Sequence, residues 1–477
     1  MTARRRYSPL LAVLALAGCN LAPRYTAPAP PVPAAFPPAP SGSGPAAAEV
    51  DWRDFYTDPR LRKVLELALA GNRDFKVAAL NIEKAQAAYR IRRSALLPEV
   101  DADGAVARQR YPASVSPTGS AYLSSEYGLS ANITSWEIDF FGRIRNLKQA
   151  ALEQYVATEQ ARRASQIALL AQVADAYLTL AADREALALA QHTLDSQSES
   201  YALVQGRFRI GTGTELDTSR ARTSVESARV DVASYTRVVA LDQSTLDLLA
   251  GAPVPTGLLP EGLTAIRPMR SDFAVGLPSS VLVNRPDILM AENQLKAANA
   301  NIGAARAACF PTIALTTGFG TADARLSGLF KAGSAAWEFT PQVSVPIFDY
   351  GARKASVAVS RVDREIALAT YEKAIQTAYK EVSDALAQKD TLLAQRAAQE
   401  SLVQAMAETY RLTQARYEVG LDGSLSVLDA QRSLYAAQQG LIVLRRAELG
   451  NLVTLYKVLG GGGPGPAPRP GEAAPGS

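Results

Sequence analysis

The sequence predicts an α+β fold, mainly α, made of one unit written twice, in which very long helices are interrupted by pairs of short strands. Three observations carry this expectation. The chain repeats itself at a nearly constant offset, its helical stretches space apolar residues by three and four, and its short runs alternate apolar with polar residues.

The repeat comes first. Arg207-Phe208-Arg209-Ile210-Gly211 returns as Arg416-Tyr417-Glu418-Val419-Gly420, with Leu216 matching Leu425 and Ala221 matching Ala430, an offset of about 209 residues. Upstream, Asp74, Ala85, Arg93 and Pro98 recur as Asp287, Ala298, Arg306 and Pro311, now at about 213. The difference in offset falls between about residues 98 and 142, where the halves are least alike.

Each half shows the same order of elements. In the first, a helix from Asp74 to Ala95 is stopped by Pro98, strands follow within 99–140, and a helix from about Arg143 to Gln205 turns at Gly211-Thr212-Gly213 into a shorter one from Glu215 to Leu249. The second half reads as helix 287–308, strands within 312–348, long helix 352–418, a turn at Gly420 to Gly423 and a helix from 424 to 459. A helix of about 62 residues is about 93 Å long, far more than a compact domain needs. Ile167, Leu170, Ala174, Tyr177 and Ala181 step by three and four, as do Tyr371, Ile375, Ala378, Val382 and Ala385. A period near 3.5 is that of coiled coils, and the alanines permit close approach.

The strand runs are two-faced. Tyr127, Leu129, Ala131 and Ile133 alternate with Gly128, Ser130, Asn132 and Thr134, and after Ser135 the pattern resumes with Trp136, Ile138 and Phe140. In the second half Trp337, Phe339, Val343, Val345 and Ile347 alternate with polar residues, and Val100 to Val106 and Ile313 to Phe319 supply a first strand for each hairpin. Lengths near ten residues suit tilted transmembrane strands, although alternation alone equally fits a soluble sheet with one buried face. Four strands cannot close on themselves, and an open edge in lipid costs several kcal/mol per unpaired backbone group. A barrel therefore needs further copies of the chain: two give the minimum of about eight strands, and three give about twelve.

The ends read as processing and tether segments. Arg4, Arg5 and Arg6, the apolar run Pro9 to Leu16 and the ending Leu16-Ala17-Gly18-Cys19 make a secretory signal over 1–18 that resembles the lipobox of bacterial lipoproteins. That resemblance makes Cys19 the lipidation site, and Asn20 after it permits sorting to the outer membrane; an ordinary signal peptide is the alternative. Residues 19–50 then form a lipidated Pro-rich tether, unstructured and extended over Ala22 to Ala48, with 51–250 the first repeat, 251–459 the second, and 460–477 a disordered tail. Cys309 is the only other cysteine and reads as a small buried residue.

The net charge of +4 and balanced composition point to no nucleic-acid partner. After the signal no long apolar stretch remains, so any crossing of a membrane must use strands. No catalytic set, metal site or cofactor motif appears. His192 is the only histidine and falls on a long helix, where a solvated position is expected.

Against this background, Asn284-Arg285-Pro286-Asp287-Ile288, Ala298-Asn299-Ala300 with Ile302-Gly303-Ala304-Ala305-Arg306, and Leu428-Asp429-Ala430-Gln431-Arg432-Ser433 resemble the TolC-like outer-membrane factors, in the lipoprotein branch that serves tripartite efflux pumps. The resemblance covers about residues 19 to 460, with Cys309 and the long Pro-rich tether as departures. It implies a homotrimer in which each chain gives four strands to a shared 12-strand β-barrel and its long helices to a periplasmic α-barrel. An equatorial belt would draw on Asp51 to Gly71, Ala252 to Pro278 and the chain's end near Leu459. It also implies an exit duct that passes small toxic compounds, with a periplasmic membrane-fusion adaptor, an inner-membrane RND-type pump and outer-membrane lipid as partners, and no enzyme activity. By the same resemblance Leu425, Asp429 and Arg432 form a ring at a periplasmic gate, with Tyr417 and Asp217 latching neighbouring helices. Two other readings stay open at this level: a channel for type I protein secretion, and a non-conducting coiled-coil lipoprotein.

Overall fold

The computed structural model describes residues 20–34, 36, 44–117, 119–272, 282 and 284–462. The signal, the lipidation reading at Cys19 and the tail beyond 462 lie outside the described residues. Helices α1 (Pro59–Gly71) and α2 (Arg73–Ser94) precede strands β1 (Asp101–Tyr111) and β2 (Tyr122–Glu137), which lead into α3 (Arg143–Arg209) and α4 (Glu215–Ala250). The order then repeats as α5 (Pro286–Ala307), β3 (Thr312–Asp323), β4 (Ala335–Ser344), α6 (Ala352–Glu418) and α7 (Ser424–Val458). The chain is mainly helical, with α3 and α6 running 67 residues each, or about 100 Å. No described helix is long and apolar enough to cross a membrane.

Two compact units are distinguished, each taking pieces of both halves. Of the described residues, one comprises 20–29 with Asn81–Glu159 and Met290–Glu372; the other comprises those within Pro30–Leu80, Gln160–Leu289 and 373–462.

The first unit holds a four-stranded antiparallel sheet in the order β1-β2-β3-β4. Its register pairs Asp103 with Ser130, Ile133 with Thr317 and Phe319 with Trp337. The break in alternation after Thr134 is a bulge: the pairing of β2 with β3 shifts between Ile133 and Trp136, and Ser135 takes a positive φ of 52°. One extra residue there restores the apolar face for Trp136. Among the described residues nothing covers the sheet. Val106, Phe319, Trp337 and Phe339 are all more than 60% exposed, and β1 and β4 leave their outer ladders unpaired. Aromatic pairs mark both ends of the strands: Tyr111 stacks on Tyr122 at 5.0 Å between centroids, and Phe141 on Phe310 at 4.9 Å. Glu137 and Asp139 then pair with Arg143 and Arg145, fixing the strand-to-helix junction.

Strand ends differ from the alternation. β1 continues through Arg108, Gln109 and Arg110, because a ladder needs only backbone groups and both faces here are exposed. Ile138 to Phe140 and Val345 to Ile347 fall outside the strands; Pro346 has no N–H to donate.

The second unit has the larger core. Ile167, Leu170, Ala174, Tyr177 and Ala181 are all buried, as are Ile375, Ala378, Val382 and Ala385; Tyr371, which belongs to the first unit, is buried too. Segments distant in sequence meet in an aromatic knot. Phe55 stacks on Tyr456 at 3.8 Å, Tyr56 packs edge-on, and the Tyr456 hydroxyl donates to the Val50 carbonyl at 2.6 Å. Residues after α4 wrap back: the Tyr177 hydroxyl donates to Leu258 O, Arg184 to Pro260 O, and Glu185 accepts from Leu263 N–H. The described parts of the three expected belt segments thus meet in this unit. Where α1 ends against α4, a Cβ on Gly251 would lie 2.2 Å from the Gly71 carbonyl oxygen, and Gly251 itself holds φ at 76°. Only glycine fits there. Arg285 of the Asn-Arg-Pro-Asp motif is a half-buried clamp: it donates to Asp287, to Glu381 at 2.9 Å and to the Val458 carbonyl at 2.8 Å, closing the last turn of α7.

Two expectations fail. Cys309 is exposed, because it follows the end of α5 with only its sulfur near the Ala305 carbonyl at 3.7 Å. The tether is seated rather than free over Asn20 to Tyr25, since proline-rich backbone keeps carbonyls that neighbouring side chains can bind. Phe36 further along is buried and stacks on Tyr379 at 4.8 Å.

Burial and the neighbouring Asp242 carboxylate push Asp183 up to about 7, against the opposing pull of Arg446. Its unfolded value is near 3.9, so the folded state binds the proton more tightly and loses stability as pH rises from about 4 through 7. Asp183→Asn removes that penalty. It is expected to raise the melting temperature at pH 8 by about 2–4 °C and to change it little at pH 4.5; equal shifts at both values would contradict this account.

Candidate functional site

The two helical hairpins, α3–α4 and α6–α7, end in short turns within the second unit. Both turns start from the same backbone device. Gly211 and Gly420 sit at φ of 78° and 79°, and the Thr212 and Leu421 amides return to the carbonyls of Arg207 and Arg416 at 3.0 and 2.9 Å. A positive-φ residue after the last turn is how long helices stop without leaving carbonyls unpaired.

The halves then diverge in how the next helix begins. Thr214 caps α4: its Oγ1 accepts from the Asp217 amide at 3.1 Å and donates to the Asp217 carboxylate at 2.6 Å. The cap satisfies the Asp217 amide, which would otherwise lack a partner in the first turn. Gly423 stands at the corresponding cap of α7 and offers no side chain. Instead, Arg416 reaches across the turn and binds Asp422 through two nitrogens, at 2.8 and 3.1 Å.

Beside the turns, two ties join the hairpins. The Ser424 hydroxyl donates to the second Asp217 oxygen at 2.7 Å, and the Arg207 guanidinium lies over the Tyr417 ring at 4.7 Å. The hydroxyls of Thr214 and Ser424 hold the Asp217 carboxyl below the usual carboxylate range. Its stabilising contribution is therefore present above about pH 4 and is lost only as pH falls through that lowered value. Farther from the turns, Gln431 donates to Ser196 Oγ, Tyr435 to Asp231 and Gln439 to the Tyr235 hydroxyl, all at 3.2–3.3 Å. A cleft of about 120 Å³ opens between the hairpins, with Leu203, Val204, Arg207, Ala221, Tyr417 and Leu428 among its walls.

The predicted residues therefore separate into two groups. Asp217 and Tyr417 are inside the junction, each tied to the other hairpin. Leu425, Asp429 and Arg432 share an exposed face of α7, where Asp429 and Arg432 approach to 3.7 Å with side chains 62% and 74% exposed. An ion pair so exposed contributes about 0–1 kcal/mol within one chain. Thr214, Ser424, Arg207, Arg416 and Asp422 were not singled out from sequence. The duplicated Arg207 and Arg416 were a visible signal, but the copies do different work: one stacks on Tyr417, the other binds Asp422. Among the described residues no group of three or more His, Cys, Asp or Glu side chains could hold a metal ion.

Asp217→Ala removes the acceptor for both hydroxyls, at a cost of about 1–2 kcal/mol. Amide exchange across 211–217 and 420–427 is expected to accelerate roughly ten-fold. Unchanged exchange in a folded variant would show that the tie does not hold the hairpins.

Comparison with known proteins adds independent information. The family described as "Outer membrane efflux protein" matches residues 64–252 and 277–461. The antibiotic efflux pump outer membrane protein ArpC of Pseudomonas putida is 46% identical over 452 residues, covering 94% of this chain and 93% of that protein. The outer membrane protein OprJ of Pseudomonas aeruginosa is 40% identical over 95% of each chain. Among solved structures, the open state of the Neisseria gonorrhoeae MtrE outer membrane channel superposes with a TM-score of 0.85 at 37% identity, covering 93% of this chain and 98% of that one.

Proposed function

The chain belongs to the outer membrane efflux protein family, and from that premise we propose that it works as a lipid-anchored homotrimer whose hairpin turns form the periplasmic gate of an efflux duct. It is the outer-membrane channel of an efflux pump, as its relatives are by name. The observation that carries the trimer reading is the uncovered sheet. Strands β1 and β4 leave their outer ladders unpaired beside an exposed apolar face that includes Phe319, Trp337 and Phe339. Lipid tolerates such a face but not such edges. Three chains joined edge to edge make a 12-strand β-barrel, and the long helices continue it as a periplasmic α-barrel.

In that assembly the exposed face of α7 turns toward the axis. Three Asp429 carboxylates then approach one another and repel, unless Arg432 of the same or a neighbouring chain compensates them. Leu425, one turn nearer the tip, narrows the passage. The Asp217–Ser424 and Arg207–Tyr417 ties hold each chain's hairpins together, so opening must either break them or move both hairpins as one body. A periplasmic membrane-fusion adaptor, coupled to an inner-membrane RND-type pump, supplies the contacts that favour the open arrangement. Cys19 carries the acyl chains, in keeping with the signal that precedes it.

The double replacement of Asp429 and Arg432 by alanine is expected to raise single-channel conductance in planar bilayers several-fold. An unchanged conductance in correctly assembled protein would remove these residues from the gate.

A further inference from the structure

The segment that follows Cys19 lies along one face of α5, held by a run of specific contacts. The Arg306 guanidinium donates to the Leu21 carbonyl at 3.1 Å, and the Asn299 amide donates to the Pro23 carbonyl at 2.8 Å. The Tyr25 hydroxyl donates to Glu292 at 3.1 Å, and the Lys296 ammonium sits 5.5 Å from the Tyr25 ring centre while pairing with Glu292 at 2.9 Å. Asn20 adds a local turn by accepting from the Ala22 amide at 3.0 Å. Arg306, Gly303, Asn299, Lys296 and Glu292 step back along the helix by three and four, so they share one stripe. Gly303 leaves the gap that the segment fills: a Cβ there would lie 2.7 Å from Ala22 Cβ and 2.6 Å from Asn146 Nδ2.

We propose that this stripe of α5 is a built seat for the residues after Cys19, which straps the lipid anchor to the body of the protein. The seat uses the chemistry that a proline-rich strand offers. Pro23 has no N–H and cannot join a ladder, but its carbonyl and that of Leu21 accept from side chains whose positions α5 fixes. Only Asn20 separates Leu21 from Cys19, and two residues of extended chain reach at most about 7 Å between Cα atoms. Arg306 stands one residue before the end of α5, and β3 begins at Thr312. The strap therefore delivers the acyl chains to the base of β3, where lipid-facing strand begins. This placement rests on the reading that Cys19 is lipidated, whereas the seat itself does not.

Arg24 makes the seat testable, since it is the only Lys or Arg between Cys19 and Arg53. A protease must draw several residues on each side of the cut into its own groove, which seated residues cannot supply without undocking. The full-length protein purified from membranes in detergent is treated with trypsin under native conditions, and intact mass follows the body that begins at Tyr25. Cleavage of the parent protein is expected to be at least ten-fold slower than in the Asn299→Ala/Arg306→Gln variant. Ala22→Trp changes only the strap, leaves the seat intact and cannot fit against Gly303; it is expected to be cut equally fast. Gel mobility of the unheated assembly confirms that each variant is folded. Rates equal to the parent's in both variants would overturn the seat. The released Cys19–Arg24 peptide separately reports acyl mass: its absence would overturn lipidation while leaving the rate comparison valid.

Discussion

The sheet that cannot close is the constraint on which the rest of the molecule depends. A strand edge in hydrocarbon leaves backbone donors and acceptors unpaired at several kcal/mol each, and this chain has two such edges, on β1 and β4. Its exposed tryptophan and phenylalanines rule out water as a comfortable alternative for that face. Pairing between copies removes both problems together. In the proposed assembly the same pairing would bring the long helices of several chains side by side, which would give the heptad spacing of α3 and α6 a use beyond one chain.

The second unit supplies what such an assembly needs at its other regions. Arg285 binds the end of α7 to Asp287 and Glu381, and the knot of Phe55, Tyr56 and Tyr456 fastens the segment before α1 to the last turn of α7. Arg285 keeps about 10% of its side chain exposed while it binds two carboxylates and the carbonyl that ends α7, so this motif reads as structural rather than as part of the passage. The turns are different. There the ties are single hydroxyl bonds and a cation over a ring, each worth about 1 kcal/mol. Contacts of that size suit the proposed gate, because they could hold one arrangement and still yield to a partner.

Much of this was legible in the sequence because it is periodic. The apolar residues at steps of three and four, from Ile167 to Ala181 and from Tyr371 to Ala385, are buried as their spacing required, and the phase break at Ser135 is the bulge itself. The helix turns followed from repeated glycines with a definite conformational reason. What escaped depends on contacts that periodicity does not encode. Ser424 meets Asp217 only because two hairpins lie side by side, and nothing in its local sequence marks it. Composition alone made the tether look free, whereas Asn299, Gly303 and Arg306, some 280 residues away, seat it. Arg108 to Arg110 hid the length of β1, since ladder pairing is indifferent to polar side chains when both faces are open.

Cross-linking of the two outer strands tests the central claim most directly. Within one chain β1 and β4 are separated by two strands, about 14 Å, too far for a disulfide, whose Cα atoms lie at most about 7 Å apart. A small set of pairs that joins cysteines at Gly104, Ala105 or Val106 with cysteines at Ala335, Ala336 or Trp337, in a Cys309→Ser background, is oxidised in isolated outer membranes. Closure by three chains gives a covalent ladder that ends at the trimer on denaturing gels. A ladder that ends at the dimer, or monomers alone for every pair, would contradict it.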